Sequence, residues 1–173
     1  VDNEVLWRKD GSSFEVEYSS VPIEKDNELV GAVITFRDIT ERREADAKTR
    51  AVWDNSSDGY LWLDKSLTFV GANMSSVYLF GCDDESELLG KTPLEFSPEH
   101  QQDGTLSADK ARKYVDSLKE NQTIGFEWQH VTRNQTPFWV QVTMTQLHIQ
   151  GEVLYLAILH DVTVEKEARE ALE

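Results

Sequence analysis

Two short segments of the sequence carry the same hydrogen-bonding groups at the same spacing: Asp38-Ile39-Thr40 and Asp161-Val162-Thr163. Each follows an apolar run of strand-forming residues and precedes a charged run that favours helix. Asp and Thr oxygens at such a place accept hydrogen bonds from the free N–H groups of a first helical turn, and acidic neighbours suit its positive end. The pattern therefore predicts two strand-to-helix joints, each of which ties the register of a strand to the direction of a helix.

The residue types that most often catalyse reactions or bind metals lack the spacing for either task. The sequence contains no nucleophile elbow, zinc-protease, phosphate-loop or dinucleotide-binding motif, so we expect no enzymatic activity from this segment. His130, His148 and His160 fall on predicted strands without metal-ligand spacing, and His100 lies in a loop with two prolines. No metal site is predicted.

The composition limits the possible partners and the compartment. The 173 residues carry a formal net charge of −15, which disfavours binding to nucleic acid or to an anionic membrane surface. The single cysteine, Cys82, excludes an internal disulfide framework and is typical of a reducing compartment, so we expect a cytoplasmic location. No apolar run approaches the ~20 residues of a membrane span, and no membrane contact is expected of this segment.

Hydrophobic periodicity and turn residues predict the elements that position the two joints. Residues 1–37 are predicted to form three antiparallel strands, with turns at 9–12 and 25–28, and residues 41–54 to form a connecting helix. In the larger unit that follows we predict five strands, at 60–64, 67–71, 124–132, 137–149 and 152–159. Helices are predicted at 73–80 and 107–120, in a turn after Asp84, and from Thr163 to the end, whereas 91–104 is predicted to be irregular.

The repeat extends beyond the two joints. Trp7 to Thr40 matches Trp128 to Thr163 in order and spacing: a Trp, a hairpin turn, a long strand, a second turn, an apolar strand and Asp-x-Thr. Residues 1–40 therefore look like the second half of the domain type that 55–163 supplies complete.

Five segments in combination resemble the PAS domain family. They are Asn55-Ser56-Ser57-Asp58-Gly59, Leu79-Phe80-Gly81, Glu87-Leu88-Leu89-Gly90-Lys91, Phe126-Glu127-Trp128 and Asp161-Val162-Thr163. The resemblance implies an α+β fold: a five-stranded antiparallel sheet with helices on one face, a small pocket between them, and linker helices on either side. The domains would be the C-terminal half of one PAS domain at 1–40, a connecting helix at 41–54, a complete PAS domain at 55–163 and the start of an exit helix at 164–173.

The resemblance places six aromatic or flexible apolar side chains near the pocket as candidate ligand-binding residues. They are Tyr78, Phe96, Tyr114, Phe126, Trp128 and Met144. An apolar cavity with few polar groups is the usual form of a small-molecule site, but the same residues would also make an ordinary core, so both interpretations stay open. Trp7, Trp53, Trp62 and Trp139 are expected to be packing residues.

No cofactor is favoured, and the cofactor stays unknown. Photoactive flavin-binding relatives use a cysteine in a Gly-Arg-Asn-Cys-Arg-Phe-like segment, whereas the similar segment Gly90 to Phe96 has Pro93 at that place. Haem-binding relatives use a histidine near the long helix, and the position equivalent to it here is Gln102, with His100 nearby. Flavin-adduct chemistry and haem ligation are therefore not expected.

The family implies sensing, dimerisation and signal relay, usually within bacterial histidine kinases, cyclic-dinucleotide enzymes or chemoreceptors. Our hypothesis is a homodimeric sensor in which a small molecule changes the packing of the strands from Phe126 to Leu159. Asp161 and Thr163 then re-aim the exit helix towards an output domain of the same full-length chain, and Asp38 and Thr40 act alike at the first joint. The alternatives are a ligand-free structural spacer for dimerisation and a haem or flavin redox sensor.

Overall fold

A computed structural model describes residues 4–172, so residues 1–3 of the first predicted segment and residue 173 of the last lie outside it. The chain divides into two compact units, and each is described by itself. The boundary lies between Val52 and Trp53, inside the helix predicted at 41–54. None of the described helices is long and apolar enough to cross a membrane.

The first unit is a three-stranded antiparallel sheet followed by a helix. Its elements are β1 (Glu4–Trp7), β2 (Ser13–Lys25), β3 (Glu28–Asp38) and all but the last two residues of α1 (Thr40–Asp54). Asp26 and Asn27 connect β2 to β3 with φ angles of 54° and 67°. Two successive residues with left-handed backbone conformation make a hairpin turn whose twist matches that of the flanking strands. Asp and Asn tolerate this conformation better than most residues do.

Most apolar side chains of the first unit are exposed. Val16 is its one buried apolar side chain among the residues described, whereas Leu29, Ile34 and Phe36 are 71%, 64% and 61% exposed. The expectation that Trp7 is a packing residue is wrong, since its side chain is 74% exposed. Trp7 ends the short edge strand β1, and no described element of this unit covers it.

The second unit contains a five-stranded antiparallel sheet, as predicted. Its strands are β4 (Gly59–Asp64), β5 (Phe69–Ala72), β6 (Thr123–Val131), β7 (Pro137–Ile149) and β8 (Glu152–Asp161), in the order β5-β4-β8-β7-β6. Strand β8 extends past the predicted end at residue 159, because Asp161 still pairs with Val140 of β7.

The strand registers correct one part of the predicted repeat. Trp7 stands opposite Ser13 at the end of its hairpin, just as Val131 stands opposite Pro137. By register, Trp7 therefore corresponds to Val131 and not to Trp128, which lies three residues earlier in β6. The two turns have the same length, at residues 8–12 and 132–136, so the two tryptophans stand at different distances from equivalent turns.

Three helices and two short 3₁₀ helices complete the second unit: α2 (Met74–Leu79), Glu85–Glu87, Pro93–Phe96, α3 (Ser107–Ser117) and α4 (Thr163–Glu170). Helix α3 ends before the predicted residue 120, because Leu118 turns extended (φ −72°, ψ 133°) and buries its side chain. The segment predicted to be irregular contains Pro93–Phe96, whose start is fixed by the Glu95 carboxylate, which accepts the Thr92 N–H at 2.8 Å.

The core of the second unit lies between one face of the sheet and the helices. Its largest fully buried side chains are Phe69, Phe80, Leu63, Leu88, Val77 and Val140. Cys82 belongs to this core, and burial raises the pKa of its thiol, so the thiol stays protonated at neutral pH.

The buried side-chain amide of Asn73 connects three elements at the beginning of the second unit. The side-chain oxygen of Asn73, which is 1% exposed, accepts the N–H groups of Tyr60 at 2.8 Å and Ser76 at 3.0 Å. Its side-chain nitrogen donates to the carbonyl oxygens of Trp53 at 2.9 Å and Asp58 at 3.0 Å. Asn73 therefore joins the end of α1, the start of β4 and the start of α2. The sequence indicated only that it begins a helix.

Replacing Asn73 with Ala should lower the free energy of unfolding of the second unit by about 3 kcal/mol, because buried backbone groups lose their only side-chain partner. Urea denaturation followed by tryptophan fluorescence measures this loss. Asn134→Ala, at an exposed turn, is the matched control and should change stability by less than about 0.5 kcal/mol. Equal losses in the two variants would show that Asn73 has no such role.

Candidate functional site

A cavity of about 150 Å³ lies between the inner face of the second sheet and the helical segments. Its apolar wall includes Leu61, Leu63, Phe69, Val142, Ala157 and Leu159. Ser66 and Leu94 also line the cavity and are exposed, so it reaches the surface between the β4–β5 turn and the Pro93–Phe96 helix. None of the described residues that line it carries a formal charge.

Four of the six predicted ligand-binding residues line this cavity: Tyr114, Phe126, Trp128 and Met144. The Tyr114 ring, from α3, stacks on the Phe126 ring of β6 with 3.9 Å between centroids and 9° between planes. The Trp128 ring stands edge-on to Phe126 at 6.0 Å. The fold therefore brings these residues together, and their role in binding stays a prediction.

The other two predicted residues lie elsewhere. Phe96 is buried but does not line the cavity; its ring packs against Phe80 and Phe69, with 5.0 Å and 6.4 Å between ring centroids, and of these three only Phe69 is part of the cavity wall. Tyr78 is 69% exposed, because α2 turns Ser76 and Val77 into the core and leaves the next residue on its outer side. Tyr78 therefore has to be removed from the candidate site.

His130 lines the cavity, although sequence reasoning did not place it there. It follows Phe126 and Trp128 at spacings of two on β6, and this alternation is the signal that could have found it. Its Nδ1 lies 2.8 Å from the carbonyl oxygen of Phe96 and 3.3 Å from the hydroxyl of Ser97. Burial lowers the pKa of His130 to about 4, so the imidazole is neutral at physiological pH.

The second Asp-x-Thr segment forms the joint between β8 and α4. One carboxylate oxygen of Asp161 accepts both the N–H of Thr163, at 2.9 Å, and its hydroxyl, at 2.6 Å. The Trp139 N–H donates to the Thr163 hydroxyl oxygen at 2.9 Å, and the Val162 N–H donates to the Trp139 carbonyl oxygen at 2.9 Å. The beginning of α4 is thereby tied to β7.

The first segment forms the same kind of joint in the other unit. The Thr40 N–H donates to the Asp38 carboxylate at 3.0 Å, and the Ile39 N–H donates to the Glu15 carbonyl oxygen at 3.0 Å. Hydrogen bonding by Thr40 holds the pKa of Asp38 below its usual value, so the carboxylate is ionised.

The two joints occupy equivalent places in their sheets. Val16 pairs with Asp38 across β2 and β3, and Val140 pairs with Asp161 across β7 and β8. The first hairpin contains one additional residue, which the register shift after Ile23 absorbs.

Helix α4 is also held by charges on the outer face of the sheet. The Glu127 carboxylate of β6 pairs with Lys166 at 2.8 Å and with Arg169 at 3.1 Å, and the hydrogen bonds from these cations lower the pKa of Glu127. The Lys166 ammonium also lies 4.5 Å from the centroid of the Trp139 ring. The sequence predicted no role for Glu127, which appeared only within the motif Phe126-Glu127-Trp128.

The described residues contain no group of three or more His, Cys, Asp or Glu side chains that could hold a metal ion. His100 is exposed, and Gln102 donates to the Glu170 carboxylate of α4 at 2.8 Å. Gln102 therefore contacts the last helix on the surface and does not line the cavity.

Comparison with known protein families gives two matches. The family model described as "PAS fold" matches residues 53–167, and the one described as "PAS domain" matches residues 2–41. No curated protein matches the chain.

Many solved structures are similar to this chain. The PAS domain of an HTR-like protein from Haloarcula marismortui is 25% identical, with a TM-score of 0.60, over 69% of this chain and 98% of that chain. The PAS domain of nitrogen regulation protein NR(II) from Vibrio parahaemolyticus is 18% identical, with a TM-score of 0.52, over 65% of this chain and 96% of that one. An RNA-binding light-oxygen-voltage receptor is 16% identical, with a TM-score of 0.60, over 92% of this chain and 42% of that one. The last two show likeness of fold alone.

We expect His130 to titrate at about pH 4 in the folded protein, whereas an unfolded histidine titrates near pH 6.5. The unfolded chain then takes up the proton first as the pH falls. The stability that depends on a neutral His130 is complete above about pH 6.5 and is lost progressively down to about pH 4, a loss of about 3 kcal/mol.

Imidazole ¹⁵N NMR measures this titration directly, and the stability of His130→Phe relative to the parent protein should rise by the same amount between pH 7 and pH 4. His148→Phe, at an exposed position, is the control for removing a histidine. Titration of His130 near pH 6.5 would contradict the expected burial.

Proposed function

Because the family model of the PAS fold matches residues 53–167, more than half of the chain, the chain belongs to the PAS family, and we propose that it is a sensory and signal-relay module. In this proposal a small molecule binds in the cavity of the second unit, and α4 carries the change to an output domain of the full-length chain, of histidine kinase, diguanylate cyclase or chemoreceptor type. The fold that the chain shares with the PAS domains of the HTR-like and nitrogen-regulation proteins is compatible with such a role.

One observation carries the proposal: strand β6 contributes to the cavity and to the anchor of the exit helix. Phe126 and Trp128 line the cavity on the inner face, whereas Glu127 between them pairs with Lys166 and Arg169 on the outer face. Neighbouring residues of a strand point to opposite faces but share one rigid backbone. A ligand that moves the two aromatic side chains therefore displaces the carboxylate that holds α4.

The Asp161–Thr163 joint is the pivot in this mechanism. The hydrogen bonds of Thr163 to Asp161 and Trp139 fix where α4 begins, while the Glu127 ion pairs act farther along the helix. A shift at Glu127 then tilts the helix about its fixed beginning. In the proposed homodimer, such a tilt is a small displacement that the packing of two α4 helices against each other could amplify.

For the first unit, we propose the C-terminal half of another PAS domain at residues 1–40, with Asp38 and Thr40 as its relay joint. The match of residues 2–41 to a PAS domain model supports this proposal, as do the equivalent registers of the two joints. Within a tandem array, α1 would connect one domain to the next as a relay helix.

We also propose that the module is a homodimer in the cytoplasm. The first unit exposes the large apolar side chains of Val21, Leu29, Val33, Ile34 and Phe36 on adjacent strands, with the paired Val21 and Val33 on one face of the sheet and Ile34 and Phe36 on the other. Exposed apolar patches of this kind mark association surfaces, and a second copy of the chain is the partner that dimerisation in this family suggests. The buried protonated thiol of Cys82 is compatible with a reducing compartment.

A ligand-free spacer for dimerisation is the second candidate, and the small volume of the cavity favours it. Pockets for drug-sized ligands occupy roughly 300–1,000 Å³, whereas this cavity has about 150 Å³. The same comparison argues against a haem or flavin in the cavity.

Native mass spectrometry of the purified chain separates these candidates. The sensory proposal predicts a mass above that of the polypeptide, lost on denaturation, and the homodimer predicts twice the chain mass. If no small molecule is retained and none from a metabolite screen raises the melting temperature, the spacer is the better account.

Replacing both Asp161 and Thr163 with Ala should raise hydrogen–deuterium exchange of α4 about fivefold, because the first turn loses its hydrogen-bond acceptors. Exchange in β4 should stay unchanged, since the core is untouched, whereas the Trp139 N–H of β7 loses its acceptor on Thr163 and should exchange faster. The matched control is Asp109→Ala, at an exposed position of α3. In the full-length protein the double variant should lose the response of the output to ligand, and an unaltered response would refute the relay role.

A further inference from the structure

The size of the cavity limits its occupant to one small ring. An apolar cavity of about 150 Å³ in a protein core stays free of water and binds benzene or xenon. The cavity of the second unit has the same volume, about 150 Å³, and an aromatic wall that includes Tyr114, Phe126 and Trp128. Ring edges and faces of this kind favour an aromatic occupant over an aliphatic one of equal size.

The wall also excludes a charged occupant. No described lining residue is Asp, Glu, Lys or Arg, so a carboxylate or an amine would lose its hydration without gaining a counter-ion. The indole N–H of Trp128 is already used, since it donates to the Ser97 hydroxyl oxygen at 3.0 Å. The hydroxyls of Ser66 and Thr92 belong to the mouth: Ser66 is exposed, and Thr92 lies 3.3 Å from the Glu95 carboxylate.

The hydrogen-bond partners of His130 determine its tautomer. The Phe96 carbonyl oxygen, 2.8 Å from Nδ1, can only accept a hydrogen bond. The Ser97 hydroxyl has one proton, which it donates to the Pro93 carbonyl oxygen at 2.8 Å, so it has none left for Nδ1. Both neighbours of Nδ1 therefore act as acceptors, and Nδ1 must carry the proton.

A neutral imidazole with its proton on Nδ1 has a bare lone pair on Nε2. Within the described part of the chain, the hydrogen bonds of His130 all involve Nδ1, so Nε2 has no protein partner. His130 lines the cavity and is otherwise buried, being 4% exposed. The cavity wall therefore contains, at Nε2 of His130, a hydrogen-bond acceptor that a ligand can satisfy.

We propose that the cavity binds a small, uncharged, single-ring aromatic molecule with one hydrogen-bond donor, a phenol in the simplest case, and that Nε2 of His130 accepts the hydrogen bond from this donor. This inference rests on the proposed sensory function and specifies its ligand class. The ring occupies the apolar volume between Tyr114, Phe126 and Met144, and the donor sets its orientation. A buried acceptor discriminates strongly, because a ligand without a donor leaves it unsatisfied.

The test uses phenol and toluene, which have nearly the same shape and differ in a hydroxyl and a methyl group. Isothermal titration calorimetry of the purified chain at neutral pH should give about tenfold tighter binding for phenol, the size of effect that one hydrogen bond to a buried acceptor contributes. Benzoate should not bind. In His130→Phe the preference for phenol should be lost or reversed, because phenol then buries a hydroxyl without an acceptor, while toluene still binds.

Two further measurements keep the test decisive if His130→Phe folds poorly. Phenol should shift the ¹⁵N resonance of Nε2 in the unaltered protein, whereas toluene should leave it in place. Ala157→Leu, which fills part of the cavity, should weaken the binding of both probes alike.

Equal affinities for phenol and toluene in the unaltered protein would overturn the inference, as would binding of neither probe or a preference that survives in His130→Phe. The sensory proposal is judged separately, by hydrogen–deuterium exchange of Thr163–Glu170. If phenol binds through His130 but leaves this exchange unchanged, the ligand assignment stands and the relay fails. If a different bound molecule changes the exchange, the relay stands and the ligand class is wrong.

Discussion

The side-chain amide of Asn73 is the constraint on which the second unit depends. It is buried, its oxygen accepts two backbone N–H groups, and its nitrogen donates to two backbone carbonyl oxygens. Asp offers no donor and Ser has one proton, so neither side chain could satisfy the same four groups. Because strand β4, with Leu61 and Leu63, begins at this amide, the position of one cavity wall follows from it.

Strand β6 joins the interior of this unit to its surface. Its inward residues make the aromatic side of the cavity, and its outward Glu127 holds two cations of α4. The chain has a net charge of −15, yet charges are absent from the described cavity wall and concentrated outside it. This separation follows from desolvation, since an unpaired charge in the cavity would cost more than the fold can supply. It also makes the cavity selective for neutral molecules, and it makes the position of α4 depend on the ion pairs of Glu127 at the surface.

The sequence by itself determined the elements whose geometry is local. The turns at Asp10-Gly11 and Asp26-Asn27, the alternation along the long strands and the two Asp-x-Thr joints depend on residues within a few positions of one another. These signals predicted the five strands of the second unit and most element boundaries to within three residues, whereas their assembly into one antiparallel sheet was implied by the resemblance to the PAS family. The matched registers at Asp38 and Asp161 show that a local motif can even indicate equivalent places in two sheets.

The tertiary structure alone decided which side chains share the cavity and what protonation state they have. Tyr78 and Phe96 are aromatic like Tyr114, but their places on α2 and in the Phe80 cluster depend on how the helices pack, which no local pattern encodes. In the sequence, His130 cannot be distinguished from any other histidine on a strand. Its proton is placed on Nδ1 by the carbonyl oxygen of Phe96, a residue 34 positions away in the chain. Burial and hydrogen bonding between distant segments set both outcomes, because the free energy of a polar group depends on its surroundings and not on its neighbours in sequence.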